Sequence, residues 1–146
     1  MVPRLNKNGK RNKGYTTMTY VERYDFILHH SNNEIVSISV AISNCYDAKK
    51  PHELSEINNN WNKDGYRIDV KYYDFDKPLI LSEHKSWLKA NYTKNSAFTI
   101  GGTGKQQYMC TLDDNHARYL LNKIIELQVT NNTISKLKEA LSSLVH

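Results

Sequence analysis

The chain has 146 residues, a formal net charge of +5, 39% apolar residues and a mean hydropathy of −0.67. That length suits one core that buries roughly 68–70% of the unfolded surface, rather than two. No apolar run is longer than the three residues of "LIL" at Leu79 to Leu81, far short of the ~18 residues a membrane span requires, so a membrane protein is excluded as an expectation.

Residues 1–14 hold Arg4, Lys7, Lys10, Arg11 and Lys13 and no acid, while the rest of the chain holds 15 of the 20 cations against all 15 acids. The whole net charge therefore sits in this arm. Pro3, Gly9 and Gly14 break helix, and Val2 and Leu5 are the arm's only apolar residues beyond Met1 and Pro3, too few to offset its ordering entropy. The composition predicts a basic flexible arm over 1–14 and a single domain over 15–146. The charged start is followed by no apolar stretch of the kind a secretory signal has, which predicts a cytoplasmic protein with Cys45 and Cys110 as thiols. The two cysteines do not form a metal-ligand pattern, and no metal or cofactor is expected.

In "YVERYDFILHH" the spacing of Tyr20, Tyr24, Phe26 and Leu28 predicts a strand, and "SNNE" from Ser31 predicts its reversal into a second. There, "IVSISVAI" alternates Val36, Ile38, Val40 and Ile42 with Ser37 and Ser39, the period of a sheet with one face in the core. "KKPHELSEINNNW" predicts a short helix with Leu54, Ile57 and Trp61 on one face. "YRIDVKYY" predicts a third strand, with Tyr66, Ile68, Val70 and Tyr72 inward and Arg67, Asp69, Lys71 and Tyr73 outward, and "DFDKP" predicts a turn. Ser82 is expected to cap a helix carrying Trp87 and Leu88 in its stripe and Lys85 and Lys89 on its flank. "AFTIGGTGKQQYMC" predicts two short strands around a glycine-rich reversal. Two helices close the chain, one with Ala117, Leu120, Leu121, Ile124 and Leu127 as its apolar face and one with Ile134, Leu137, Leu141 and Leu144. The expected fold is α+β: a mainly antiparallel sheet of about five strands, short connecting helices, and the two C-terminal helices packed on the sheet.

Several strings suggest chemistry. "GGTGK" from Gly101 lacks the spacing and the Ser/Thr of a phosphate loop, which predicts a tight hairpin, although consecutive amides there could form an anion-binding hollow with Lys105. In "IDVK", Asp69 and Lys71 stand two apart on one expected strand face, an arrangement that resembles the Asp-x-Lys half of the metal-dependent PD-(D/E)xK nucleases. In that family the carboxylate holds Mg²⁺ and the lysine positions an attacking water. Asp47 is the best upstream acid, and no Pro-Asp pair precedes it; alternating charge on a solvent face gives the same string. Ser82 and His84 at a helix start suit capping rather than nucleophilic catalysis.

Residues 34–76 hold eight acids and five cations, whereas residues 77–105 hold five lysines and one Glu. The charge map points to a polyanion. Arg67, Lys71 and Tyr73 on a strand, Lys85 and Lys89 on a helix, and Lys94 and Lys105 beside the hairpin are expected to join the arm and Tyr15 in contacting phosphates and bases, with Tyr92 a further contact. The expectation is a small nucleic-acid-binding protein, DNA favoured over RNA, acting as a repressor or recognition module of phage or mobile-element type. A dimeric form would select a palindromic site. The alternatives are a protein that binds and inhibits a host or defence protein through its acidic stretch, and a Mg²⁺-dependent nuclease.

Overall fold

The computed structural model describes residues 2–3, 19–49, 64–94, 96–105 and 109–144. Among them the chain is α+β, with strands β1 (Val2–Pro3), β2 (Phe26–Ser31), β3 (Glu34–Ala41), β4 (Tyr46–Lys49), β5 (Asp64–Arg67) and β6 (Val70–Ile80). A 3-10 turn at Leu81–His84 leads into helix α1 (Lys85–Ala90), and helices α2 (Asp114–Leu127) and α3 (Asn131–Ser142) follow. The expected helix over 50–61 lies outside the described residues. No helix among the described residues is long and apolar enough to cross a membrane.

The chain divides into two compact units, one formed by Phe26–Val40, Lys71–Gln106 and Thr111–His146 and the other by Met1–Asp25, Ala41–Val70 and Gln107–Cys110. The strands form two three-stranded sheets, β2-β3-β6 and β1-β5-β4, so the single sheet of about five strands is not what forms. The backbone explains the difference. "YRIDVKYY" is broken at Ile68–Asp69, leaving β5 in one sheet and β6 in the other.

In the larger unit, Asn32 and Asn33 take left-handed φ values of 51° and 60°, a conformation Asn tolerates, and close the β2–β3 hairpin where the sequence placed it. The ladder slips between His29 and His30: His29 faces Ser37 and His30 faces Ile35, so Val36 has no partner on β2. Ile35 and Ile38 both enter the core, three residues apart, against the strict alternation expected. Ser37 and Ser39 are buried as well, so both faces of the central strand are covered, and Ile42 falls beyond β3, 52% exposed. The strand expected from Tyr20, β2, begins only at Phe26. Tyr24 has a φ of 77° and Glu22 N–H bonds the Asp25 carboxylate, which bends the segment and leaves Tyr20 and Tyr24 exposed.

β6 runs straight through "DFDKP", the expected turn. An edge strand accommodates Pro78, whose missing N–H removes no ladder bond on the outer side. Tyr73, Phe75 and Leu79 supply its core face and Tyr72 is 58% exposed, the reverse of the expected orientation of the two tyrosines. Ser82 does not cap; the 3-10 turn starts from Ile80 without a side-chain bond.

The two C-terminal helices pack on this core as expected, with Leu120, Ile124 and Leu137 at 0% exposure beside Ile38 and Leu88. In α3 the deepest positions are Thr133, Leu137 and Ala140, while Ile134, Leu141 and Leu144 are half-buried. Each fully buried Leu or Ile side chain contributes roughly 1.5–3 kcal/mol by leaving water.

The α2–α3 connection is tied to β6 by side chains. The buried Gln128 accepts from Asp76 N–H at 2.7 Å and donates to the Lys77 carbonyl at 2.9 Å. In return the Asp76 carboxylate accepts from the Thr130 hydroxyl at 2.6 Å and from the N–H groups of Val129 and Thr130 at 3.0 and 2.9 Å. These bonds, the Thr130 hydroxyl first, hold the Asp76 carboxyl below its ordinary value of 3.8. A depressed folded value stabilises the fold above the unfolded pKa and is lost as pH falls through the folded one. Asp76→Ala is therefore expected to melt at a lower temperature than the wild type at neutral pH, and the gap should close on acidification below about 3.8; a gap that persists in acid contradicts the assignment.

In the smaller unit, β5 pairs antiparallel with β4 from Tyr46↔Arg67 to Lys49↔Asp64 and with β1 at Val2↔Tyr66 and Pro3↔Gly65. The first residues of the basic segment thus belong to a sheet edge, where a proline is admissible.

Candidate nucleic-acid interface

The glycine-rich reversal is a closed, braced turn. Phe98 and Gly104 form a β-bridge, Lys105 N–H donates to the Ala97 carbonyl at 2.9 Å, and Thr99 N–H donates to the Thr103 carbonyl at 2.8 Å. The hydroxyls of Thr99 and Thr103 bond each other at 2.8 Å across the turn. Gly102 adopts a φ of +82°, and a Cβ there would lie 3.0 Å from the Lys85 carbonyl and 3.1 and 3.2 Å from the Cγ atoms of Lys85 and Lys89. Only glycine lets the turn lie this close to α1. A Cβ at Gly104 would lie 3.0 Å from His30 Nε2, so the turn is held from a second side by the end of β2.

Its root is equally fixed. Phe98 is buried and meets the ring of His116 edge-on at 5.4 Å; His116 in turn meets Trp87 edge-on, and Trp87 stacks on Tyr119 with centroids 3.7 Å apart. His116 Nε2 donates to the Asn91 carbonyl at 2.8 Å, joining α2 to the end of α1. Tyr119 also bonds His84 Nδ1 at 2.8 Å, which gives His84 a structural task.

Around this turn the structure gathers four of the lysines chosen from sequence. Lys85 and Lys89 stand one helical turn apart on α1, with their stems along Gly102. Lys105 leaves the base of the hairpin and its Nζ reaches the Lys94 carbonyl at 3.1 Å. Among the described residues none of the four forms an ion pair; the pairs present are Arg67–Asp69 and Lys136–Glu139. Two amides of the reversal are engaged within it, since Gly102 N–H bonds the Thr99 carbonyl and Thr103 N–H bonds Thr99 Oγ1. Positive charge at this turn comes from side chains.

The other expected contacts are placed elsewhere. Tyr73 and Ile80, where the path to α1 begins, are seven positions apart along extended β6, a span of roughly 23 Å. Lys71 and Lys136 lie 5.5 and 5.7 Å from the Tyr73 ring, which is half-buried against the core rather than exposed. Arg67 belongs to the smaller unit and donates to Asp69 at 3.3 Å. Tyr92 is 36% exposed just after α1. Arg4, Lys7, Lys10, Arg11, Lys13 and Tyr15 lie outside the described residues.

The catalytic strings fare differently. Asp69 lies in the break before β6, not on a strand face with Lys71, and its two carboxylate oxygens accept from the Tyr46 hydroxyl at 3.2 Å each. Among the described residues no group of three His, Cys, Asp or Glu side chains could hold a metal ion. A cluster the sequence did not suggest is His29, whose Nε2 bonds Ser39 Oγ at 2.7 Å while its ring lies 4.8 Å from Tyr72. Burial lowers the His29 pKa and Asp74 partly opposes this. The set has the residue types of a Ser-His-Asp triad, but Ser39 is 0% exposed, so its hydroxyl serves the sheet and no substrate reaches it.

No protein-family model matches the chain, and no curated protein matches it.

Proposed function

We propose that the protein binds nucleic acid, with duplex DNA the leading target, and that the lysine-rimmed turn at residues 98–105 is the element that seats on the sugar–phosphate backbone. The observation carrying this reading is the gathering of Lys85, Lys89, Lys94 and Lys105 around one braced turn without an ion-pairing carboxylate among the described residues. Like charges brought to one turn repel one another, and a polyanion relieves that repulsion while releasing its own counterions. The five cations of residues 1–14 add a second sequence-independent attraction. A repressor or recognition module uses both: phosphate contacts for register, with base readout added from the same surface. The inhibitor reading has less to support it, because Asp69 and Asp76 in the acidic stretch are engaged in bonds within the chain.

The direct test is retention of labelled duplex DNA, single-stranded DNA and RNA by the purified protein. Binding that weakens steeply from low to physiological salt supports the proposal, and no retention of any of the three in dilute buffer overturns it.

A further inference from the structure

Ile100 is 75% exposed at the tip of the braced turn. A β-branched apolar residue is unusual there, where Gly, Asn and Asp are the residues turn geometry favours. Its mount is rigid: the Thr99–Thr103 hydroxyl bond closes the turn beneath it, and Gly102 is seated against α1 two residues away. Lys85 and Lys89 lie against Gly102 beside it, Lys105 leaves the base of the same hairpin to reach the Lys94 carbonyl, and none of the four is in an ion pair among the described residues. Val129, the other most exposed aliphatic residue at 79%, sits on the Asp76 carboxylate instead, in surroundings that repel phosphate.

We propose that Ile100 is a wedge: on duplex DNA gripped by Lys85, Lys89, Lys94 and Lys105, its side chain enters the minor groove, parts one base step and bends the duplex. This rests on the nucleic-acid reading above. A minor groove about 6 Å wide excludes a helix and admits a single turn side chain. Apolar wedges of this kind unstack a step, and the cost is recovered through the extra backbone contacts that the bent duplex makes with flanking cations. The same chemistry, an aliphatic tip on a turn that carries lysines, also suits an anionic lipid surface. Duplex DNA is favoured because the cationic groups continue beside the tip onto α1, a footprint suited to a backbone running past the wedge.

The experiment uses the full chain and duplexes carrying 2-aminopurine along their length, which brightens on unstacking, together with a donor–acceptor pair on the duplex ends that reports bending. Wild-type protein is expected to brighten the probe and bring the ends together. Ile100→Ser, a surface change remote from the core, is expected to bind with an unchanged salt slope and to lose both signals, and Ile100→Leu to restore them. Binding by the wild type without either signal, or signals that survive in Ile100→Ser, overturns the wedge while leaving phosphate binding intact. No duplex binding at all overturns the wedge, and failure to retain single-stranded DNA and RNA as well overturns the underlying reading. Ile100-dependent capture on phosphatidylserine vesicles with no duplex binding reassigns the tip to a lipid surface and also overturns the proposal.

Discussion

Replacing Lys85, Lys89, Lys94 and Lys105 together by Gln is expected to flatten the dependence of log affinity on log salt by about 3–4 units, since each phosphate neutralised contributes roughly 0.9 to the slope on duplex DNA. The effect should be largest at low salt, where counterion release is worth most. All four side chains project from the surface, or half from it, and none supports the core, so the variant should keep the wild-type circular dichroism and melting temperature. A matched control removes charge at Lys138 on α3, which is exposed and away from the glycine turn, and should alter the slope by no more than about one unit. An unaltered slope in the fourfold variant would show that phosphates are held elsewhere, with residues 1–14 the first place to look.

Leu120→Ala is expected to cost about 2–5 kcal/mol, because the side chain is 0% exposed among Ile38, Leu88, Ile124 and Leu137 and its removal leaves a void that the sheet and helices fill only in part. Against a total of roughly 5–15 kcal/mol for a domain, this is enough to unfold a large fraction of the protein under mild denaturant. A urea titration should show the midpoint falling with the slope unchanged. The same truncation at Leu144, half-buried at the end of the α3 segment, should cost clearly less. Equal losses at both positions would contradict the placement of the core.

Periodicity carried the parts of the fold that were legible in the sequence. α2 and α3 have apolar residues at helical spacing over three turns, and "SNNE" supplies two residues that accept left-handed φ, so these elements could be placed without tertiary information. β6 could not. Two aspartates and a proline in "DFDKP" have turn chemistry, and the edge position of the strand, with the bonds of Gln128 to its backbone and those Asp76 accepts from Val129 and Thr130, makes extension favourable. The inversion of Tyr72 and Tyr73 follows from the same error, since a strand assumed continuous through Ile68–Asp69 carries its facing across a break that resets it. The extra residue at Val36 likewise shifts facing within β3, and no local signal marks it.

At the site, the spacing of Lys85 and Lys89 on one helix face was readable directly. That Lys94 and Lys105 meet at the base of the same turn depends on a carbonyl-to-ammonium bond over eleven residues, and the seating of Gly102 on α1 depends on tertiary packing. The pair Thr99 and Thr103, bracketing Ile100 and two glycines, was the available hint that the turn is braced. Arg67 illustrates the opposite case, where a cation and a carboxylate two residues apart in "RID" pair with each other and leave less charge for a ligand.

The most direct measurement maps amide chemical shifts of isotope-labelled full-length protein with and without a short DNA duplex. Perturbations concentrated at residues 98–105 and at Lys85 and Lys89, fading as salt is raised, are the expected result. Perturbations that leave those residues untouched and gather instead around Tyr73 and Lys136, or that do not occur at all, would contradict the assignment of the lysine-rimmed turn as the phosphate-binding element.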